Sequence, residues 1–510
     1  MSLLNNYLTS KDIKRLDLNS DYLGISTLQL MENAGKSLAT EITSRFKSES
    51  RILVLAGTGR NGGDGMVSAR HLASLGYNVS TWLIGSESNI KDEAVKCNWQ
   101  TIRRMKSSID TKIITDSTQL ENIDVDVVID ALLGVGFRGK LRQPILEAAR
   151  VLNKSKSFII SVDVPTGFDA DNGEVDSDVV KANLTITFHK QKYGFAKGKD
   201  YLGDIKVVSI GIPPEAEIYV GPGDVETCLG ERSPYSKKGD FGRLLVIGGS
   251  EVYTGAPALV GLAALRAGAD LVYVAAPEKT AEAISTISPN LITIKMSGKH
   301  FNQSNLAELE SIIRKADAVA LGPGMGLHKE SSKATRSLIK RLQELKKPTL
   351  IDADALKFLT TSISKMNFPV ILTPHVGEFE SLTSRKVSNE LENRIMEVKK
   401  FAKQINAIVF LKGKVDTISD GSRVRLNFTG NPGMTVGGTG DILSGIIASL
   451  LAQGCNPFES TIAGAFINGA AGDFAYEKKG FHLLSTDLLD EIPRIMIDPM
   501  SHRDVKFLGC

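Results

Sequence analysis

Residues 431–441 combine a dense run of glycines with one carboxylate. The segment is Asn431-Pro-Gly-Met-Thr-Val-Gly-Gly-Thr-Gly-Asp441, and it leads into the apolar, helix-like run 442–452. Glycines leave backbone N–H groups uncovered, and the start of a helix adds unpaired N–H groups and a positive dipole end, so this segment is suited to binding a phosphate. A carboxylate facing a phosphate is repelled unless it accepts a proton from the attacking hydroxyl. The pattern predicts small-molecule phosphoryl transfer with Asp441 as base; the alternative is that Asp441 only caps the helix.

A second glycine loop lies in the first half of the chain. Residues 57–65 (Gly-Thr-Gly-Arg-Asn-Gly-Gly-Asp-Gly) follow the apolar strand 51–56 and precede a helix-like run that starts at residue 66. Three of the glycines match the dinucleotide-binding spacing, but the acidic residue expected about 20 positions later is missing from the end of the next strand. This disfavours an NAD-dependent dehydrogenase. Asn61 and Asp64 fit a loop that holds a cation or a hydroxyl, since a carboxylate opposes a bound pyrophosphate.

Two more polar loops follow predicted strands of the first half. Asp130 starts one of them, in which glycines accompany Arg138 and Lys140 as possible phosphate ligands. Asp163 and Thr166 lie in the other. Because parallel sheets bind ligands at the carboxyl ends of their strands, we expect the three loops to share one crevice. The alternative for either aspartate alone is that it only forms a turn.

Apolar, β-branched runs alternate with amphipathic stretches along both halves, which is typical of an α/β protein with buried parallel strands. A length of 510 residues predicts two domains. Prolines, glycines and acidic residues indicate a linker over 221–234, between domains at 1–220 and 235–510. The predicted strands are 51–56, 125–129, 158–162, 243–249, 270–275, 316–321, 349–352, 370–372 and 407–411.

The composition is that of a soluble globular protein: hydrophobic residues make up 42% and charged residues 23% of the chain, and no apolar run reaches about 18 residues. The N-terminus lacks the basic flank and apolar core of a secretory signal. Four scattered cysteines without metal spacing suit a reducing compartment. A net charge of +3 without a basic stripe gives no support to nucleic-acid binding. We therefore expect a cytoplasmic protein without a membrane or nucleic-acid partner.

The order and spacing of these motifs resemble the bifunctional NAD(P)H-hydrate repair enzymes over nearly the whole chain. In that family an NAD(P)HX epimerase domain precedes an ADP-dependent (S)-NAD(P)HX dehydratase domain. The resemblance implies a Rossmann-like three-layer first domain and a ribokinase-like α/β second domain. The motifs that carry it are 61–65, 130–134, 162–167, 321–326 (Leu-Gly-Pro-Gly-Met-Gly), 372–379 (Leu-Thr-Pro-His-Val-Gly-Glu-Phe), 411–414 (Leu-Lys-Gly-Lys) and 437–441.

For the first domain, the resemblance implies a substrate site, a potassium ion and an acid/base. Asn61, Asp130 and Thr166 are the implied potassium ligands, and Asp163 is the candidate acid/base. Arg60 and Thr166 stand where family members often carry Asn and Ser; the hydroxyl is kept at Thr166. The implied NAD(P)HX-binding residues are Arg60, Asn61, Gly62, Gly63, Asp64, Gly134, Val135, Gly136, Phe137, Arg138, Gly139, Lys140 and Asp163.

For the second domain, the resemblance implies that Asp441 takes the proton of the ring hydroxyl while ADP, with Mg²⁺, gives up its β-phosphoryl group. Phosphate then leaves, the nicotinamide ring is restored, and AMP is the by-product. The implied ring-binding residues are Ala256, Gly324, Gly326, His375 and Asp441. The implied ADP-binding residues are Lys412, Gly413, Lys414, Val415, Asp416, Asn431, Gly437, Gly438, Thr439 and Gly440.

Alternatives stay open at this point. His375 is equally explained as a satisfied histidine at a strand end, and Lys412 and Lys414 as solvated charges. The Gly-Thr-Gly-Asp motif also occurs in sugar and vitamin kinases, which lack the fused first domain; a binding protein without catalysis is a further alternative. We expect NADHX, NADPHX and ADP as small-molecule partners, but the residues do not decide between ADP and ATP. Apolar helices such as 461–473, if exposed, predict a homo-oligomer.

Overall fold

The computed structural model describes residues 6–230, 232–359 and 365–505, and its contacts divide the chain into two compact units between Pro214 and Glu215. Each unit is built on one large sheet with helices packed against it. The α/β class predicted from the alternating pattern is therefore confirmed.

The first unit holds a seven-stranded, fully parallel sheet in the order β4-β3-β2-β5-β6-β7-β9, and β1 pairs with β8 separately. The chain leaves the central strand β2 in one direction and returns on its other side at β5, which creates a crevice at the carboxyl ends of these strands. The strands are β1 (Tyr7–Leu8), β2 (Arg51–Ala56), β3 (Asn78–Ile84), β4 (Ile109–Ile114), β5 (Val127–Ala131), β6 (Phe158–Val162), β7 (Leu184–Phe188), β8 (Gln191–Lys192) and β9 (Asp204–Val208).

Helices cover both faces of this sheet, as expected for three layers. Along β2, Ile52 and Val54 pack on one face while Leu53 and Leu55 pack on the other, because successive side chains of a strand point to opposite faces. The helices are α1 (Ser10–Tyr22), α2 (Thr27–Thr43), α3 (Arg60–Ser74), α4 (Glu93–Arg104), α5 (Ile145–Lys154) and α6 (Lys199–Leu202).

Helix α3 starts at Arg60, well before the predicted start at residue 66. The glycines allow this because the loop, the helix and the end of β5 lie very close together. A Cβ at Gly57 would lie 2.0 Å from the carbonyl oxygen of Leu132, and a Cβ at Gly62 would lie 2.0 Å from that of Gly57. These glycines serve close backbone packing, and they place Asp64 inside the helix, not in a loop.

The second unit holds a nine-stranded sheet in the order β12-β11-β10-β13-β14-β15-β16-β17-β18. Strands β10 to β16 run parallel, and the last pairs, β16–β17 and β17–β18, are antiparallel. The strands are β10 (Arg243–Ile247), β11 (Leu271–Pro277), β12 (Ile292–Met296), β13 (Ala318–Leu321), β14 (Thr349–Ile351), β15 (Val370–Leu372), β16 (Ile408–Leu411), β17 (Asp416–Ser419) and β18 (Val424–Asn427).

One core of the second unit packs the sheet against the helices between β12 and β16, and on the other face helices near the chain end contact the central strands. The helices are α7 (Pro214–Ile218), α8 (Pro222–Cys228), α9 (Gly255–Arg266), α10 (Glu278–Ile287), α11 (Asn305–Lys315), α12 (Lys329–Glu344), α13 (Asp354–Lys357), α14 (Val376–Thr383), α15 (Leu391–Ile405), α16 (Thr439–Ala452), α17 (Pro457–Lys479) and α18 (Ser485–Ile497). Within the described part of the chain, none of the helices has the length and apolar character of a membrane span.

Two sequence-based expectations differ from the structure. Part of the predicted linker 221–234 is helix α8, whose buried Asp224 accepts a 2.6 Å hydrogen bond from Arg425 of β18, so this stretch is folded into the second unit. Residues 461–473 lie in α17 and are buried within the same unit. Their apolar character therefore reflects an internal helix, and the expectation that they form an exposed, assembling surface is wrong.

Candidate active sites

Asp441 lies in the first turn of α16, directly after the glycine loop 431–440. The N-cap of this helix is Gly438, at φ +100°, so the interpretation of Asp441 as a mere cap is wrong. Burial raises the pKa of Asp441 to about 7; the charge of Asp352 adds to the shift, and that of Lys412 opposes it. A carboxylate with a pKa near neutrality at an anion-binding helix end is suited to accept a proton at physiological pH.

Lys412, which is partly buried, forms an ion pair with the buried Asp352 beside Asp441. Lys412 Nζ donates to Asp352 Oδ1 at 3.0 Å, and Ser444 Oγ donates to the other carboxylate oxygen at 2.6 Å. Burial favours a raised pKa for Asp352, but the Lys412 charge and the Ser444 hydrogen bond outweigh it and hold the pKa below its usual range. Lys412 therefore remains charged, and the interpretation of this lysine as a solvated surface charge is wrong.

The Lys412 ammonium also faces the glycine loop, since a Cβ at Gly440 would lie 3.6 Å from Nζ. Lys412 follows β16 at the start of the antiparallel turn into β17. In that turn Gly413 N–H donates to Asp416 at 2.9 Å, and burial raises the Asp416 pKa to about 6. Lys414 is exposed, so its interpretation as a solvated charge stays open.

Asp473 of α17 accepts hydrogen bonds from the start of the glycine loop, at residues 430 and 431. Its Oδ2 accepts from Gly430 N–H at 2.9 Å, and its Oδ1 accepts from the Asn431 amide at 2.8 Å. The fully buried His502 places Nε2 3.1 Å from the same carboxylate. Asn431 in turn accepts from Gly433 N–H at 2.9 Å. Asp473 was missed in the sequence; the available signal was one carboxylate within the small-residue run 469–473.

Ala256 and Gly324 lie together at the carboxyl ends of β10 and β13. A Cβ at Gly324 would lie 3.3 Å from that of Ala256, and the φ of +60° there favours glycine. Gly326 N–H donates to Asp354 at 2.9 Å. Strand β10 has β11 on one side and β13 on the other, so these residues line the point where the strand order reverses, the usual ligand crevice of an open α/β sheet.

His375 is joined to this crevice through its backbone, which bridges to Lys412. Its Nδ1 accepts from Glu378 N–H at 3.3 Å, so the side chain caps α14. The imidazole remains 60% exposed. The structure thus shows the capping role, and the ring is open enough for substrate contact as well.

In the first unit, Asp163 follows β6 with its backbone in the left-handed region at φ +61°. A non-glycine residue held there is typical of a functional site. Its Oδ1 accepts from Thr187 Oγ1 at 2.9 Å and from Phe188 N–H at 3.0 Å, and it lies 2.6 Å from Lys192 Nζ. Lys192 is only 1% exposed. It was missed because nothing in its sequence surroundings distinguishes it from the nearby lysines.

Asp17 and Asp64 complete an acidic cluster with Asp163. Burial raises the Asp64 pKa well above its usual range, with added repulsion from Asp163 and Asp17. Burial raises the Asp17 pKa to about 6, against the opposing charge of Arg60. Arg60, at the start of α3, donates to Asp17 at 3.0 Å and to Asp92 at 2.8 Å. Buried carboxyls with raised pKa values are suited to general acid/base work.

Asp130, Thr166 and Asn61 come together as predicted at the ends of β5 and β6. Thr166 Oγ1 donates to Asp130 at 2.7 Å, and the Asn61 amide nitrogen donates to the Leu133 carbonyl at 3.0 Å, which leaves its amide oxygen as acceptor. Burial raises the Asp130 pKa, against the hydrogen bonds from Thr166. Carboxylate, hydroxyl and amide oxygens around a buried acid form a donor set that fits a hard cation.

The loop 134–140 follows β5 at the same sheet edge, but Arg138 does not stand free to wrap a phosphate. Its guanidinium pairs with Asp171 and lies 3.3 Å from the Asp169 carboxylate. It also donates to the Ser10 hydroxyl at 2.8 Å. Lys140 is exposed on this loop. Three polar groups of the fold therefore engage Arg138, and its role as a phosphate ligand beside Lys140 stays a prediction.

Comparisons with known proteins agree with the division of the chain into two units. Residues 244–494 match the family described as NAD(P)H-hydrate dehydratase, and residues 27–194 match the YjeF-related protein N-terminus. The bifunctional NAD(P)H-hydrate repair enzyme of Hyperthermus butylicus is 41% identical over 98% of this chain and 93% of its own length. That of Pyrobaculum aerophilum is 42% identical, over 96% of this chain and 98% of its own.

A solved structure is also similar. The ADP/ATP-dependent NAD(P)H-hydrate dehydratase of Bacillus subtilis, co-crystallised with ATP and Mg²⁺, is 27% identical over 55% of this chain and 99% of its own, with a TM-score of 0.48. The dehydratase family match over the second unit agrees with the ribokinase-like fold expected from the motifs.

Proposed function

The chain belongs to the bifunctional NAD(P)H-hydrate repair enzymes, and we propose on that premise how its two units divide the work. The first unit interconverts the R and S epimers of NAD(P)HX. The second dehydrates S-NAD(P)HX to NAD(P)H at the expense of ADP, with AMP and phosphate as by-products. The observation that carries the second assignment is Asp441, which has a pKa of about 7 at the start of α16.

In the second unit, Asp441 accepts the proton of the ring hydroxyl. The hydroxyl oxygen bonds to the β-phosphorus of ADP, and the bond from that phosphorus to the AMP oxygen breaks. Phosphate then leaves the ring carbon with the electron pair of the C–O bond, and a proton lost from the neighbouring carbon restores the double bond. Hydroxide is a poor leaving group, so the transfer to phosphorus is what makes dehydration possible.

The protein groups around Asp441 support each part of this step. Backbone N–H groups at 438–440 face the moving phosphoryl group at the positive helix end. Lys412, fixed by Asp352, offers a positive charge next to the glycine loop. The turn 412–416 and Asn431 take ADP, and Ala256, Gly324, Gly326 and His375 take the ring. Mg²⁺, when bound with ADP, shares the phosphate charge.

In the first unit, we assign the proton transfers of epimerisation to Asp163, held by Lys192 and by two hydrogen-bond donors. Burial raises the pKa of Asp17 to about 6 and that of Asp64 well above its usual range, so both carboxyls favour the protonated form beside it. Residues 60–64 at the start of α3 and the loop 134–140 contact the substrate. Asn61, Asp130 and Thr166 hold a potassium ion, which gives the buried carboxylate a counter-charge.

The test follows the near-ultraviolet absorbance of NADH in an equilibrated mixture of NADHX epimers. With ADP and Mg²⁺, full recovery of NADH together with AMP release is the expected result, because a dehydratase alone stalls on the unconverted R epimer. ATP in place of ADP tests the nucleotide, and NADPHX tests the second substrate. No recovery with either nucleotide contradicts the repair function and directs the search to sugar and vitamin kinase substrates.

We also propose a cytoplasmic location and a homo-oligomer. The buried run 461–473 does not support the assembly, so this proposal depends on the exposed apolar side chains of Phe481, Leu484 and Ile497 in the second unit. Gel filtration with light scattering tests the assembly, and a monomer at micromolar concentration contradicts it.

A further inference from the structure

Two histidines and a glutamate meet on the second unit, outside the residues assigned to catalysis. His300 lies between β12 and α11, His328 caps α12, and Glu330 is in the first turn of α12. The imidazole rings stack with centroids 3.7 Å apart and planes inclined by 30°. His300 Nε2 lies 2.8 Å from Glu330 Oε2. One donor atom of each side chain lies within 4.8 Å of the other two.

We propose that His300, His328 and Glu330 form a binding site for a divalent transition metal of the Zn²⁺ type. Two imidazole nitrogens and one carboxylate oxygen are the donor set that such ions prefer, and three protein ligands leave a position for water. An ion that needs six oxygen ligands, such as Mg²⁺, is a poor match for this set. Binding exchanges bound water for protein ligands and involves no redox step.

The placement of the three side chains supports this assignment. Glu330 Oε2 lies 2.8 Å from His300 Nε2, so the carboxylate and this imidazole already stand side by side. The positive charge of Lys333 acts on Glu330 and competes with a metal for it. Stacked imidazoles have no hydrogen bond to each other, and a cation between their nitrogens and the carboxylate would use all three donors at once.

Capping of α12 by His328 explains only part of this arrangement of side chains. His328 Nδ1 accepts from Glu330 N–H at 3.3 Å, which is a long and therefore weak cap. Coordination through Nε2 moves the ring proton to Nδ1 and gives up this one bond. Glu330 is exposed and the His300 side chain is 27% exposed, so the rings can separate from their stack to face one ion.

The metal site is independent of the proposed repair function. Asp441, Lys412 and the glycine loop contribute none of its ligands, so a chain that fails to bind Zn²⁺ can still repair NAD(P)HX. Equally, a chain that fails to repair NAD(P)HX can still bind Zn²⁺. His328 lies two residues after Gly326, which we propose contacts the ring, so a bound metal would fix the start of α12 close to the ring site.

The experiment is a calorimetric titration of the full, tag-free chain with ZnCl₂ after chelator treatment. We expect one tight Zn²⁺ per chain, weakened in His300→Ala and in His328→Ala by at least the roughly tenfold that even an outer-shell change costs. His482→Ala, which removes an exposed histidine outside the cluster, keeps the wild-type affinity. Unchanged binding in the His300→Ala/His328→Ala double variant, or no binding by the wild-type chain, overturns the proposal.

A second readout guards against misfolded variants. Zn²⁺ that binds the native state raises Tm, so the rise must appear in the wild type and in His482→Ala and disappear in the two cluster variants. Equal Tm values without metal show that the variants fold. Bound Co²⁺ gives visible absorption from a four- or five-coordinate nitrogen and oxygen site, and absence of this band in the wild type overturns the proposed geometry.

Discussion

Lys412 and Asp352 form an ion pair with 3.0 Å between Nζ and Oδ1, and this pair controls the charge that surrounds Asp441. Asp352 is 2% exposed and therefore poorly screened by water. Its negative charge raises the pKa of Asp441, after burial itself, while Lys412 lowers it. The pair thus holds the base near its working pKa and leaves a cation facing the glycine loop.

Asp441→Asn is expected to abolish dehydration with little change in folding. The amide has the shape of the carboxylate but does not accept the hydroxyl proton, and loss of a general base costs about 10²–10⁴-fold in rate. The measurement is NADH formation from purified S-NADHX with ADP. Asp163→Asn is the matched control: it should lose epimerisation and retain this reaction. If Asp441→Asn keeps more than a tenth of the wild-type rate, Asp441 is not the base.

The activity and the stability of the protein should respond to Asp441 ionisation in opposite directions. The base must be deprotonated, so kcat/KM for dehydration rises with pH through about 7. Its pKa is about 7 in the folded chain and 3.8 unfolded, so its contribution to stability is present below pH 3.8 and is lost as pH rises toward 7. Asp441→Asn removes this contribution, and its Tm should fall less than the wild-type Tm between those pH values.

The glycine loops and strand ends could be predicted from sequence because their spacing has a local physical reason. Strands 51–56, 158–162 and 370–372 match the structure to the residue. Asp17, Lys192 and Asp473 could not be found in this way. Each acts on a loop far away in sequence, and only the packed fold shows that a carboxylate or an ammonium is buried there.

Arg138 is a second case in which local sequence does not reveal the contacts of a side chain. A basic residue among glycines is a sound indication of a phosphate ligand, yet its guanidinium is engaged by Asp169 and Asp171. Helix α5 and strand β6 separate the two aspartates from Arg138 along the chain. Whether Arg138 binds a ligand or pairs with residues of the fold depends on its three-dimensional surroundings. The spacing of nearby residues in the sequence does not show these surroundings.

Asp473→Asn is expected to weaken ADP binding more than it slows catalysis. Asp473 holds Gly430 and Asn431 at 2.9 and 2.8 Å, so loss of its charge loosens the loop that we propose contacts ADP. A charge-assisted hydrogen bond contributes about 1.5–3 kcal/mol, which corresponds to a KM for ADP raised at least tenfold. Steady-state kinetics separate KM from kcat. Asp490→Asn, at an exposed ion pair with Arg266, is the control and should leave both unchanged. A fall in kcat alone would contradict the positioning role.

Lys192→Met is expected to cost both epimerase activity and stability of the first unit. The lysine is buried with its ammonium 2.6 Å from Asp163, and removing one partner of such a pair leaves an uncompensated charge at a cost of about 3–5 kcal/mol. Asp163 then loses the charged partner that positions its carboxylate, so epimerisation should slow. Thermal unfolding and R-to-S conversion are the measurements, and the dehydratase rate on purified S-NADHX reports on the second unit of the same chain. Lys199→Met, at an exposed position, should behave as wild type. Wild-type epimerisation in Lys192→Met would show that the ion pair serves the fold alone.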